Sequence, residues 1–147
     1  MQETVSRLNE LLVEGKKYIN KTSNEELEKK PAINKWSKKE ILGHLIDSGI
    51  NNLQRFTEIQ FQKSPYKLRD YHQSNLVKSN FYQESEIEEI LQFWLSINKR
   101  ILFVISNLPT ELYQNKIVLS SKEEITLLFL IEDYVVHLEY HLNQIVN

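Results

Sequence analysis

The chain has 147 residues, 41% hydrophobic and 26% charged, which sets it among globular proteins of one-domain size and apart from disordered ones. A net charge of −2 offers no positive field for a phosphate backbone, so no nucleic-acid partner is expected. The absence of cysteine excludes disulfides, thiolate zinc sites, iron–sulfur clusters and a cysteine nucleophile. Only three glycines and three prolines are present, too few for the repeated tight turns of a sandwich or barrel, so a few long helices are expected.

No apolar run approaches the roughly 20 residues that span a bilayer. The N-terminal segment MQETVSRLNELLVEGKKY is amphipathic and has no apolar stretch leading to a cleavage site. A cytoplasmic location without a membrane partner is the expectation.

Four Ser-x-x-Glu boxes punctuate the chain: Ser23 with Glu26, Ser37 with Glu40, Ser85 with Glu88, and Ser121 with Glu124. In each, the serine hydroxyl accepts from a free N–H of the first turn and the glutamate reaches back to the cap. Followed by apolar periodicity, such a box marks a helix start. The first helix is predicted over residues 2–20, with Val5, Leu8, Leu11, Leu12 and Ile19 on one stripe. A lesser turn at residues 24–30 ends at Pro31. The second long helix runs from Ser37 to about Gln62, with Pro65 in the connection behind it and a short helical piece at residues 71–80.

The third long helix is predicted from Ser85 to about Asn107, just before Pro109, with Ile87, Ile90, Leu91, Trp94, Ile97, Ile101, Leu102 and Ile105 on its apolar stripe. The fourth starts at Ser121 and continues nearly to the C-terminus; residues 112–119 read as extended or irregular. The expected architecture is all-α, a four-helix bundle with one or two medium connections, in a single domain over residues 1–147.

Three of the four histidines fall in predicted long helices. His137 and His141 are one turn apart and point the same way. With His137 at zero and about 100° per residue, the apolar side chains of that helix fill an arc from about 20° to 180°. The pair therefore sits at the rim of the buried face. Around His44 on the second helix, Asp47, Ser48, Asn51 and Arg55 form a polar strip within roughly 60°, beside an apolar one. Gly49 lies on the apolar face, where glycine costs a helix about 1 kcal/mol relative to alanine; a close helix–helix approach explains it.

Two such rims meeting in a cleft would present three neutral imidazoles with an open position, the pattern of catalytic metal sites. Helical histidines at a core rim are also satisfied by neighbours or water, and spacing alone leaves both readings open. Asp133, four before His137, and Asp47, three after His44, are candidates to orient an imidazole or are solvated helix acids. Tyr71, His72 and Gln73 follow a loop and either close over a cleft or form ordinary surface; Trp36 and Trp94 read as core or helix-staple residues. No glycine-rich phosphate loop, paired-carboxylate box, Glu-x-x-His pair of the di-iron type or Ser-His-Asp context is present.

The stretch WSKKEILGHLIDS, Trp36 to Ser48, resembles the second-helix signature of the DinB-like (damage-inducible) helical-bundle family. The C-terminal HLEYHLNQI, His137 to Ile145, resembles that family's last-helix motif, and YHQSNLV, Tyr71 to Val77, a mid-chain motif. In the latter, His72 stands where an acid is more usual and Leu76 where an aromatic is common. The resemblance spans nearly the whole chain. It implies a four-helix bundle, often dimeric, with a divalent metal such as Zn or Ni held by His44, His137 and His141.

Related enzymes transfer a low-molecular-weight thiol to an electrophile or act as metal-dependent hydrolases, so the resemblance implies a metal-bound thiolate nucleophile and small-molecule partners. The competing expectation is a non-catalytic bundle that binds a metal or small ligand. A homodimer is expected from the family pattern and from apolar residues on several helix faces.

Overall fold

Ser37 accepts from the Glu40 amide at 3.1 Å while the Glu40 carboxylate accepts from the Ser37 amide at 2.9 Å, so the expected capping box starts the longest helix. In the computed structural model, which describes residues 1–147, this is α3 (Lys38–Glu58). The others are α1 (Gln2–Lys21), α2 (Asn24–Glu28), α4 (Gln73–Ser79), α5 (Ile87–Ser106) and α6 (Leu127–Val146), with single 3₁₀ turns at Tyr82–Glu84 and Thr110–Leu112. Ser23 likewise caps α2 by accepting from the Glu26 amide.

The other two boxes do not start helices. The Ser85 hydroxyl donates to the Phe81 carbonyl at 2.8 Å, holding the 3₁₀ turn, and α5 begins two residues later. Ser121 lies in the turn of a hairpin between β2 (Lys116–Val118) and β3 (Glu124–Thr126). There Lys122 takes the left-handed conformation (φ 69°), which closes the turn. Thr126 is the true cap of α6, its Oγ1 accepting from the Phe129 amide at 3.2 Å. Strand pairing with burial of Ile117 explains the difference, because it takes residues 116–126 into a hairpin despite the local capping signal. Ile117 is fully buried, worth about 1.5–3 kcal/mol, and docks the hairpin on the core.

A two-residue strand, β1 (Tyr66–Lys67), adds in parallel to β2, opposing Tyr66 to Ile117. This small sheet was not anticipated, although residues 112–119 do contain the extended segment. The second long helix also ends at Glu58, four residues short of the expected boundary, because turns take over before Pro65.

The four long helices form the expected bundle around one cluster of 30 buried residues. α3 packs on α5 and α6, and α1 packs on the same two helices. Helices consecutive in the bundle, α1 with α3 and α5 with α6, therefore lie across its diagonals. The β2–β3 hairpin belongs to the α5–α6 connection, and β1 joins it from the α3–α4 connection. The site depends on this arrangement because it makes α3 and α6 neighbours.

Gly49 is a point of close approach: a Cβ there would lie 3.1 Å from Cγ2 of Ile97 on α5. Gly43 is tighter, since a Cβ there would overlap the Tyr82 ring. Trp94 is buried in the core, as expected.

Candidate metal centre

Helix α3 is buried continuously from Lys39 to Gly49, so His44, in its second turn, enters the interior without any solvent contact. Helix α6 brings His137 and His141 to the same point from half-buried positions. One ligand nitrogen from each histidine falls within 4.8 Å of the other two. His44 Nε2 and His137 Nε2 are 3.2 Å apart, and His141 closes the triangle with its ring centroid 4.5 Å from His44 and 4.6 Å from His137.

The donor set suits a divalent ion. Two nitrogens bonded to one ion at about 2.0–2.1 Å in tetrahedral geometry lie about 3.3–3.4 Å apart, close to the His44–His137 spacing. Two of the imidazoles, those of His44 and His137, are also held toward the neutral form that a metal ligand needs. Burial, reinforced by the neighbouring His141 and His137 rings, holds the His44 pKa down at about 3. Burial lowers that of His137 as well, with His141 adding to the effect and the Asp133 charge opposing it. Neutral rings offer lone pairs near pH 7.

Gln144, one turn beyond His141, fixes the third ring. With its Oε1 2.9 Å from His141 Nδ1, the amide oxygen accepts the Nδ1 proton and leaves Nε2 as the ligand atom. Gln144 lies within the HLEYHLNQI motif, and its i, i+3 spacing from His141 is the only local signal for this contact. Trp36, expected as core or staple, stacks its ring 5.0 Å from that of His44 and walls the site. A groove of about 490 Å³ opens from there, lined by Trp36, Ile41, Ser74, His141 and Gln144.

The acids expected as orienting partners behave otherwise. Asp47 Oδ1 accepts from the Tyr82 hydroxyl at 2.6 Å and from Asn80 Nδ2 at 3.0 Å, so this carboxylate ties α3 to the segment after α4. The buried Nδ1 of His44 has no hydrogen-bond partner, and neither has Asp47 Oδ2. Burial raises the Asp47 pKa, and the Tyr82 and Asn80 hydrogen bonds only partly offset this. Asp133 is exposed and reaches His137 through its charge alone. Tyr71 and Gln73 do line a small cavity beside His137, whereas His72 stays exposed at the start of α4 and takes no part.

A helical bundle with an open three-histidine centre between two of its helices is the class that fold and site define. The chain belongs to the DinB superfamily, whose sequence profile matches residues 6–145. YfiT from Bacillus subtilis, described as a probable metal-dependent hydrolase with an unusual four-helix bundle topology, has a similar structure. Its TM-score is 0.87 at 19% identity, over 98% of this chain and 82% of YfiT. The mycothiol-dependent maleylpyruvate isomerase aligns with TM-score 0.67 at 9% identity, over 94% of this chain but only 59% of the isomerase. No curated protein sequence matches the chain. No helix is long and apolar enough to cross a membrane.

Proposed function

We propose that this protein is a metal-dependent enzyme in which His44, His137 and His141 hold one divalent ion, Zn or Ni, and a small thiol is transferred to an electrophile. The single observation that carries the reading is the convergence of three imidazoles within 4.8 Å beside an open groove. A divalent ion in that position supplies the positive charge that lowers the pKa of a coordinated thiol or water.

The chain's own residues do the rest. Gln144 keeps the His141 proton on Nδ1, and Trp36 shields His44 from solvent on the groove side. The groove, at about 490 Å³, is within the range of small-molecule sites and larger than a water nucleophile needs. The thiol dependence of the isomerase that shares this fold supports a thiol as nucleophile. Hydrolysis is the second reading, favoured by the description of YfiT.

Protein purified without chelator should carry about one ion per chain by plasma mass spectrometry, lost in both His44→Ala and His137→Ala. Absence of metal from the wild type would falsify the metal reading. With metal present, disappearance of free thiol in step with conjugation of monochlorobimane is expected. Turnover of an ester or amide panel with no thiol consumed would transfer the assignment to hydrolysis.

A further inference from the structure

Arg55 lies on α3 three turns beyond His44, half-buried. Its guanidinium has only neutral partners. Nη2 donates to the Arg69 carbonyl at 2.6 Å, Nη1 to Asn52 Oδ1 at 3.3 Å, and Cζ stands 5.4 Å from the centre of the Tyr71 ring. None of the six ion pairs of the structure includes Arg55. Burial pushes its pKa down, yet an arginine stays charged at any physiological pH. A half-buried cation thus makes no direct ion pair, and Asp70 acts on it only through its charge.

Arg55 shares a cavity of about 190 Å³ with His137, whose other walls include Ser48, Asn52, Tyr71 and Gln73. At about 30 Å³ per water-sized group, that volume takes roughly six heavy atoms. The same space is therefore walled both by a histidine of the candidate metal centre and by an arginine that makes no ion pair.

We propose that Arg55 binds a carboxylate on the small molecule processed at the histidine centre, and so selects carboxylate-bearing substrates. The inference rests on the metal-centre reading above. A planar carboxylate matches the donor fork of a guanidinium and supplies the directly paired negative charge that Arg55 does not have within the chain. A phosphate dianion fits less well, because its second charge would be unmatched while the Asp133 carboxylate stands in the same cavity wall. Asp133 itself is exposed and its field is screened by solvent, whereas that of Arg55 is less so.

The test uses 3-mercaptopropionate, a thiol and a carboxylate in six heavy atoms, against its uncharged amide. Both are titrated calorimetrically into zinc-loaded wild type, Arg55→Gln and Arg55→Lys. The wild type should prefer the acid at least tenfold; Arg55→Gln should bind the two alike, and Arg55→Lys, which loses the fork, should keep only part of the preference. An unchanged preference in Arg55→Gln overturns the proposal. Should that variant not fold, an unchanged preference in Arg55→Lys overturns it equally. Zinc content is measured on the same samples. If the wild type holds no zinc, the metal reading has failed, and propionate against propionamide on the metal-free protein then decides Arg55 alone: no preference for the acid overturns the proposal.

Discussion

His44 combines complete burial, an unpartnered Nδ1 and a pKa near 3, so its ring is held neutral in an environment that opposes its charging. In a chain from which metal has been removed, this has a definite consequence for stability. The unfolded histidine titrates near 6.5 and the folded one at about 3, so the unfolded state binds the proton more readily between those values. The neutral ring's contribution is intact above pH 6.5 and is lost as pH falls toward 3. Thermal melts of chelator-treated protein should therefore show a midpoint that drops through this window, with a shallower drop in His44→Asn. Equal slopes for the two proteins would assign the loss to other groups.

The residue scale also marks where sequence reading ran out. His137 and His141 were identifiable as rim positions because helical angle is a local property, about 100° per residue. His44, expected beside a polar strip at a rim, is completely buried because that strip packs inward too. Arg55 was visible in the polar strip around His44, but no local pattern shows that a guanidinium makes no direct ion pair. Asp47 sat at the right spacing to serve His44 and is instead committed to Tyr82, 35 residues away, and to Asn80.

At the scale of elements, two equal-looking boxes had different fates. Ser37 and Glu40 form the reciprocal bonds, whereas Ser121 makes only a 3.4 Å contact with the Glu123 amide in a hairpin turn. The cap of α6 is Thr126. Replacing Thr126 with alanine removes the acceptor of a first-turn N–H and should cost about 1 kcal/mol. Ser121→Ala, at an exposed turn position, should change stability by less than about 0.5 kcal/mol. Urea unfolding of the two variants checks the contrast, and the reverse order would place the helix start at Ser121 after all. The hairpin could be read only as extended or irregular, since a three-residue strand is too short for periodicity to register and β1 joins it from about 50 positions earlier.

For the whole molecule, the centre brings together side chains of α3 and α6 that are 93 positions apart, so an ion bound there would link the two halves of the bundle. Any ligand that binds only the folded state stabilises it by mass action, about 4.1 kcal/mol at a thousand times its Kd. For a domain of this size that corresponds to a rise in Tm of roughly 8–16 °C, at about 2–4 °C per kcal/mol. Chelator treatment should lower the melting temperature by an amount of this order, readdition of zinc should restore it, and His141→Ala should abolish the response. A melting temperature indifferent to zinc in the wild type would mean that no ion is held between the helices.

The scarcity of glycine and proline, the capping serines and the apolar stripes determined by themselves that this is a bundle of four long helices with histidines on two of them. These are short-range consequences, settled by hydrogen bonds and burial within one or two helical turns. Which faces meet was decided by packing. Because α1 and α3, and likewise α5 and α6, lie across diagonals, α3 and α6 become neighbours, and only then do three imidazoles come within 4.8 Å. Distances between residues so far apart in the chain depend on how every core side chain fills the space between helices. No property of a single helix contains that information.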